Sequence, residues 1–369
     1  MPDSRTVMTL DAGGTLLKFS AVRGGALLFE PVPIPAESDN LERCLAHIVE
    51  GFELVRRRLP EAPVAISFAF PGPTDYRAGI VRDLPNLPGF RGGVALGPML
   101  RERFGIPVFM NNDGDLFTYG EAMEGFLPYV NGLLESAGSP RRYRNLLGIT
   151  IGTGMGGGLV TDGRLFIGDN SAGLEVGLLR NKVEPSQRVE YSVSIAAVRR
   201  VYAREAGIAM DSAPEPSVLR QIALGETPGN AAAAREAFRT MGEAAGDAIA
   251  QALTLIDGLV VIGGGVSGAS ALFFPALIEA VNGRFYPPAV PGPRLFSRAF
   301  DIEDAGQRGE FLKGETREIR VPGSSKTVPF DTMPRVAAGT SRLGTSQAVA
   351  IGAYALALAM LDQGRDQGY

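Results

Sequence analysis

The chain has 369 residues, enough for two lobes with separate cores, and 45% hydrophobic with 21% charged residues is an ordinary globular composition. A net charge of −4 gives no basic surplus for nucleic acid, and the clusters Arg56-Arg57-Arg58 and Arg141-Arg142 read as solvated faces. Cys44 and His47 are the single cysteine and single histidine, so neither an intrachain disulfide nor a zinc site of cysteine and histidine type can form.

In chain order, Met1–Thr9 lacks the features of a signal peptide. Met8–Val22 predicts strand, glycine turn, strand, with Asp11-Ala12-Gly13-Gly14-Thr15 as the turn. Leu41, Leu45, Ile48, Phe52 and Val55 recur at helical spacing, and Asp39 with Glu42 predicts a capping box for a helix over 41–59. Cys44 and His47 ride on that helix as passengers, which argues against catalysis by histidine. Val64–Phe70 is a buried strand stopped by Pro71-Gly72-Pro73, and Val108–Met110 runs straight into Asn111-Asn112-Asp113.

Leu146–Thr150 and Gly152–Gly158 repeat the strand and glycine-turn design, and Asp162-Gly163 signals a type I′ hairpin. A helix follows over Ala231–Ile256, then a strand, Leu259–Ile262, ending at Gly263-Gly264-Gly265. Residues 285–335 are rich in proline, glycine and charge and read as an inserted surface excursion, with a hairpin around Pro322–Thr327. Ser341–Leu361 closes the chain as a helix capped near Thr345. Its apolar stretch, Ala348–Leu361, falls short of the ~20 residues of a membrane span, so the expected address is cytoplasmic. Alternating strands and helices imply an α/β fold. The expected division is 1–114 with 345–369 as the smaller lobe and 115–344 as the larger one.

Phosphate groups need many donors at close range, and backbone N–H groups with no Cβ in the way supply them. Gly13, Gly14 and Thr15 form one candidate cradle, with Lys18 just beyond; Gly152, Thr153 and Gly154 form a second. Asp11 is placed to hold hydrated magnesium. Gly263–Gly268 matches G-x-G-x-x-G, but the acidic residue that a dinucleotide fold needs about 20 positions on is absent. Gly263, Gly264 and Gly265 instead suit an adenosine lying on bare backbone, against the plainer reading of a tight turn. Asp113, after a buried strand and beside two amides, is the candidate general base, although Asn112-Asp113-Gly114 could equally be a turn. Glu175 and Glu190 follow closely after the second cradle.

These motifs together resemble the ROK family of sugar kinases and repressors, within the actin-like, hexokinase-like ATPase superfamily of ribonuclease H-like fold. The likeness runs along nearly all of the chain except Tyr129–Asn145 and 285–335. Asp11–Thr15 and Gly152–Gly158 are similar to its two phosphate motifs, and Val261–Ser267 to its adenosine motif. Asn112-Asp113 followed by Gly120-Glu121 matches its N-D-x-N-x-x-x-x-G-E segment, with Asp115 where asparagine is usual. Phe70–Gly72 and Leu84–Phe90 resemble its substrate loops, and Gly173–Leu178 its A-G-E-I-G-H stretch, with Leu178 in place of histidine. The resemblance implies ATP and magnesium as cofactors, no zinc, a sugar substrate held by Gly72, Asn86, Asn112, Glu175 and Glu190, Asp113 as base, and a homodimer. Neither nucleic acid nor membrane is an expected partner. Two alternatives stand beside the kinase: a non-catalytic sugar-sensing regulator, which only ten residues before Asp11 disfavour, and an ATPase acting on a non-sugar partner.

Overall fold

The computed structural model describes residues 3–13, 15–72, 74–84, 87–287 and 290–364; Gly14 and Asn86 lie outside them. The chain forms two compact units. One comprises Met1–Gly125, Gly158–Leu174 and Arg342–Tyr369, and the other Phe126–Gly157 and Glu175–Ser341.

In the first unit Thr6–Ala12 and Leu16–Arg23 pair antiparallel, and Ala65–Ala69 then Val108–Asn111 add in parallel on the other side. Every residue of Ala65–Ala69 is buried, as expected of a parallel strand covered on both faces. The helix Leu41–Arg58 packs Phe52 edge-on against Phe19, ring centroids 5.2 Å apart. Its cap is Asn40, whose side chain accepts from the Arg43 N–H at 3.1 Å, rather than the expected Asp39. Asn40 takes the role because it directly precedes the first helical residue, leaving Asp39 outside the helix. Cys44 sits on the buried face, where loss of water pushes its thiol up to about 11.

The helices Asp113–Met123 and Thr345–Asp362 meet backbone to backbone. A Cβ on Gly120 would collide with the Ala348 carbonyl, and one on Gly352 with the Leu116 carbonyl. The second helix has Gly344 at its N-cap position and no side-chain cap of its own, contrary to the expected cap at Thr345. Glu121, fully buried, supplies the acceptor instead: its carboxylate receives the N–H groups of Arg342 and Leu343, both at 3.1 Å. At 18 residues Thr345–Asp362 is longer than its apolar stretch suggested, and long and apolar enough to cross a membrane by length and composition. Packing accounts for that apolarity, since Ala348, Val349, Ile351, Tyr354 and Leu356 are buried. The turn at Asp162-Gly163 has φ of 48° and 73° and joins Thr161 to its partner Arg164, the expected type I′ hairpin.

The second unit is built on parallel strands: Asn145–Ile151 beside Leu259–Gly263, then Arg335–Thr340, then Arg298–Asp301 at the edge. This corrects the reading of 285–335 as a surface excursion. Arg298–Asp301 is a strand of the main sheet, and Phe300, Ile302 and Phe311 are completely buried. What does protrude is the hairpin Thr316–Arg320 with Thr327–Asp331, nearly all of it exposed. Its base is fixed by Arg335, 1% exposed, whose guanidinium bonds the Asp331 carboxylate at 2.5 Å and the Met333 carbonyl at 3.1 Å.

Candidate active site

In the first unit three parallel neighbours end level with one another, since Asp11 is in register with Ala69 and Ala69 with Asn111. Their carboxyl ends therefore bring together Asp11, the turn at Gly72, and Asn112-Asp113. Ligands bind at that edge in open α/β sheets. Lys18, exposed, lies directly across the hairpin from Asp11. The turn between them closes through a Gly13 N–H to Leu16 carbonyl bond of 3.0 Å and leaves Thr15 exposed.

Asn112 caps the helix that Asp113 begins: its Oδ1 accepts from Gly114 N–H at 2.6 Å and Asp115 N–H at 3.2 Å. Asp113 reaches solvent at its surface while protein atoms crowd round it. This loss of water raises its carboxyl above the ordinary value, opposed by a bond from the Gly114 N–H and reinforced by the negative charge of Asp11. An aspartate facing the negative charge of a second one at the same strand edge is a candidate general base beside a bound cation.

In the second unit the two remaining glycine turns are also neighbours. Gly263 is in register with Thr150, so Gly152–Gly154 and Gly264–Gly265 leave adjacent strand ends. Gly264 adopts φ of +91° and lies so tightly on Ile151 that a Cβ would strike its backbone, while the Val266 N–H reaches the Ile151 carbonyl at 3.2 Å. The Gly152 N–H closes the second cradle on the Gly154 carbonyl at 2.9 Å.

Glu190 reaches into that cradle. Its Oε2 accepts from the Met155 N–H at 3.2 Å, its Oε1 pairs with Arg188 at 2.8 Å, and a Cβ on Gly154 would strike its carboxylate. Glu175 is exposed and begins the single turn Val176–Leu178, and Leu178 itself is 61% exposed. Thr153, Arg188, Glu190, Tyr191, Ser194 and Arg200 line an open recess of about 530 Å³ beside the cradle. Arg200 stacks on the Tyr191 ring 3.6 Å from its centre. Among the described residues no group of three or more histidine, cysteine or carboxylate side chains could hold a metal ion.

The description of the ROK family matches residues 7–312. The chain belongs to the ROK family. Over 326 residues it is 27% identical to a glucokinase of Thermotoga maritima, covering 81% of this chain and 94% of that one. A glucokinase structure from Parabacteroides distasonis superposes with a TM-score of 0.88 at 52% identity, over 97% of this chain and 98% of that one. The repressor Mlc of Escherichia coli is 28% identical over 145 residues, 39% of this chain and 32% of its own. The fold of this ROK chain is the two-lobed actin-like ATPase fold.

Sequence reasoning missed three features of this ROK chain. In the sequence Glu121 stands only as part of the family segment, yet its carboxylate accepts from two backbone N–H groups of the chain ahead of the last helix. Asn111 is completely buried, and its Nδ2 has no hydrogen-bond partner among the described residues. Arg200 gave no signal because it looks like any other helical arginine; only its place in the recess singles it out.

Proposed function

We propose that this chain transfers the γ-phosphoryl group of ATP to a hydroxyl group of a hexose or hexose derivative. The observation that carries the reading is the Asp113 carboxylate just past the end of a buried strand, at the same sheet edge as Asp11, in a ROK chain. A raised pKa strengthens a carboxylate as a base, so Asp113 accepts the hydroxyl proton as the oxygen attacks phosphorus. Asn112, Glu175 and Glu190 hold sugar hydroxyls, aided by Gly72 and Asn86. The turns at Gly13, Gly14 and Thr15 and at Gly152, Thr153 and Gly154 hold the phosphates, the Gly13 and Gly152 N–H groups closing the turns themselves and Lys18 adding positive charge. Gly263, Gly264 and Gly265 carry the adenosine. A magnesium ion bound through water at Asp11 would neutralise phosphate charge and relieve the repulsion between Asp11 and Asp113.

A coupled ADP-release assay over hexoses, N-acetylhexosamines and ketohexoses tests this directly. Sugar-dependent ADP release is the expected result. The stretch shared with Mlc favours a second reading, a sugar-binding regulator without turnover. Sugar binding by calorimetry with no ADP release for any member of the panel would select it. ADP release without sugar would select an ATPase acting on another partner. A homodimer belongs to the leading reading, and a monomer mass by light scattering would remove it.

A further inference from the structure

Between the turns that carry Glu175 and Glu190 the chain makes a small closed loop. Its neck is the Val189 N–H to Leu179 carbonyl bond of 2.9 Å, next to a bridge between Arg180 and Arg188. At the centre lies Asn181, 0% exposed. Its Oδ1 accepts from the N–H groups of Val183 at 2.9 Å and Glu184 at 3.1 Å. Its Nδ2 donates to the Ser192 hydroxyl at 2.8 Å and the Arg188 carbonyl at 3.3 Å. A primary amide offers two donors and two acceptor positions, and here all four are used.

The two residues that Nδ2 grips, Arg188 and Ser192, stand two positions before and two after Glu190. The loop neck ties the same unit to Val176–Leu178, the turn that follows Glu175. These two turns also touch at Gly177, where a Cβ would lie 2.6 Å from the Met155 carbonyl oxygen and 3.5 Å from the Glu190 Cβ. One buried amide thus fixes the backbone on both sides of a candidate ligand carboxylate. A fully satisfied buried network of this kind rigidifies what it connects.

We propose that Asn181 is a positioning residue that sets Glu190, and through the loop neck Glu175, for the hydroxyl groups of the sugar. This rests on the reading of Glu175 and Glu190 as sugar ligands. Asn181→Asp keeps the two acceptor bonds and loses both donors; Asn181→Ala loses all four; Ser192→Ala removes a single bond. Steady-state kinetics should show the sugar KM rising by about tenfold for Asn181→Ala, less for Asn181→Asp and about threefold for Ser192→Ala. The KM for ATP should stay within about twofold in each. A purely structural role would lower the melting temperature with both KM values unchanged, or raise both together, and either result overturns the proposal. Should the Asn181 variants not fold, an unchanged sugar KM in Ser192→Ala overturns it alone. Absence of sugar turnover in the wild-type chain removes the kinase reading and the proposal with it, and is seen before any variant is compared.

Discussion

Asp11–Thr15 and Gly152–Gly158 are both glycine turns between buried strands, yet they present different chemistry. Charge surrounds the first: Lys18 lies in register with Asp11, and Asp11 is near enough to Asp113 to raise its pKa. The second has no charged residue of its own; the carboxylate that enters it, Glu190, reaches in from 35 residues further along. Under the proposed function, proton transfer and cation binding fall to the first unit, while the second contributes backbone donors. A duplicated turn can be kept while its side chains diverge, because the turn needs glycine and the chemistry needs only the residues beside it.

The sharpest way to break this contrast is Asp113→Asn. If the first unit supplies the base, kcat falls by roughly 10²–10⁴ while both KM values stay near wild type. Wild-type turnover would end the role of Asp113. Next in size is Gly264→Ala, which tests the second unit as a backbone platform. A Cβ there meets the Ile151 backbone at a φ of +91°, so melting temperature should drop with a loss of about 1–3 kcal/mol, and the KM for ATP should rise. A normal ATP KM in the folded variant would separate this turn from nucleotide binding.

Glu121→Gln divides the family segment itself. Losing charge from a buried acceptor of two N–H groups should cost about 1–3 kcal/mol in thermal melting, with kcat at low temperature nearly unchanged. A collapse of kcat without loss of stability would instead place Glu121 in the chemistry.

The acid limb of the pH profile follows from Asp113. Its folded pKa lies above the ordinary 3.8, and it works deprotonated, so turnover should fall through a pKa higher than that of a free aspartate as pH is lowered. For stability the sign is opposite. The native chain holds the Asp113 proton more tightly than the unfolded chain, so the stabilisation is present at low pH and lost as pH rises through the raised value. Asp113→Asn should therefore melt no lower than wild type at pH 7, with the advantage shrinking toward pH 4. The smallest effect is a silence: with its buried thiol at about 11, Cys44 should resist alkylation at neutral pH until the chain is unfolded.

The parts legible in the sequence were those set by local chemistry. Glycine turns, the buried strand into Asn111-Asn112-Asp113 and the Asp162-Gly163 hairpin depend on neighbours in the chain. What escaped depends on distant partners. Glu121 acts on Arg342 and Leu343, and no spacing rule connects them. Arg298–Asp301 looked like surface because it is four residues long and set among prolines and arginines, yet the sheet beside it buries Phe300. Asp39 lost the cap to Asn40 by a single position, the scale on which helix ends are hardest to place.

The buried Arg335 guanidinium has a practical outcome. It clamps Asp331 at the foot of the exposed hairpin, so the foot is anchored to the main sheet while the tip between Arg320 and Thr327 projects into solvent. A reporter peptide spliced between Ser324 and Ser325 would be displayed to solvent, away from the strands that bear the glycine turns.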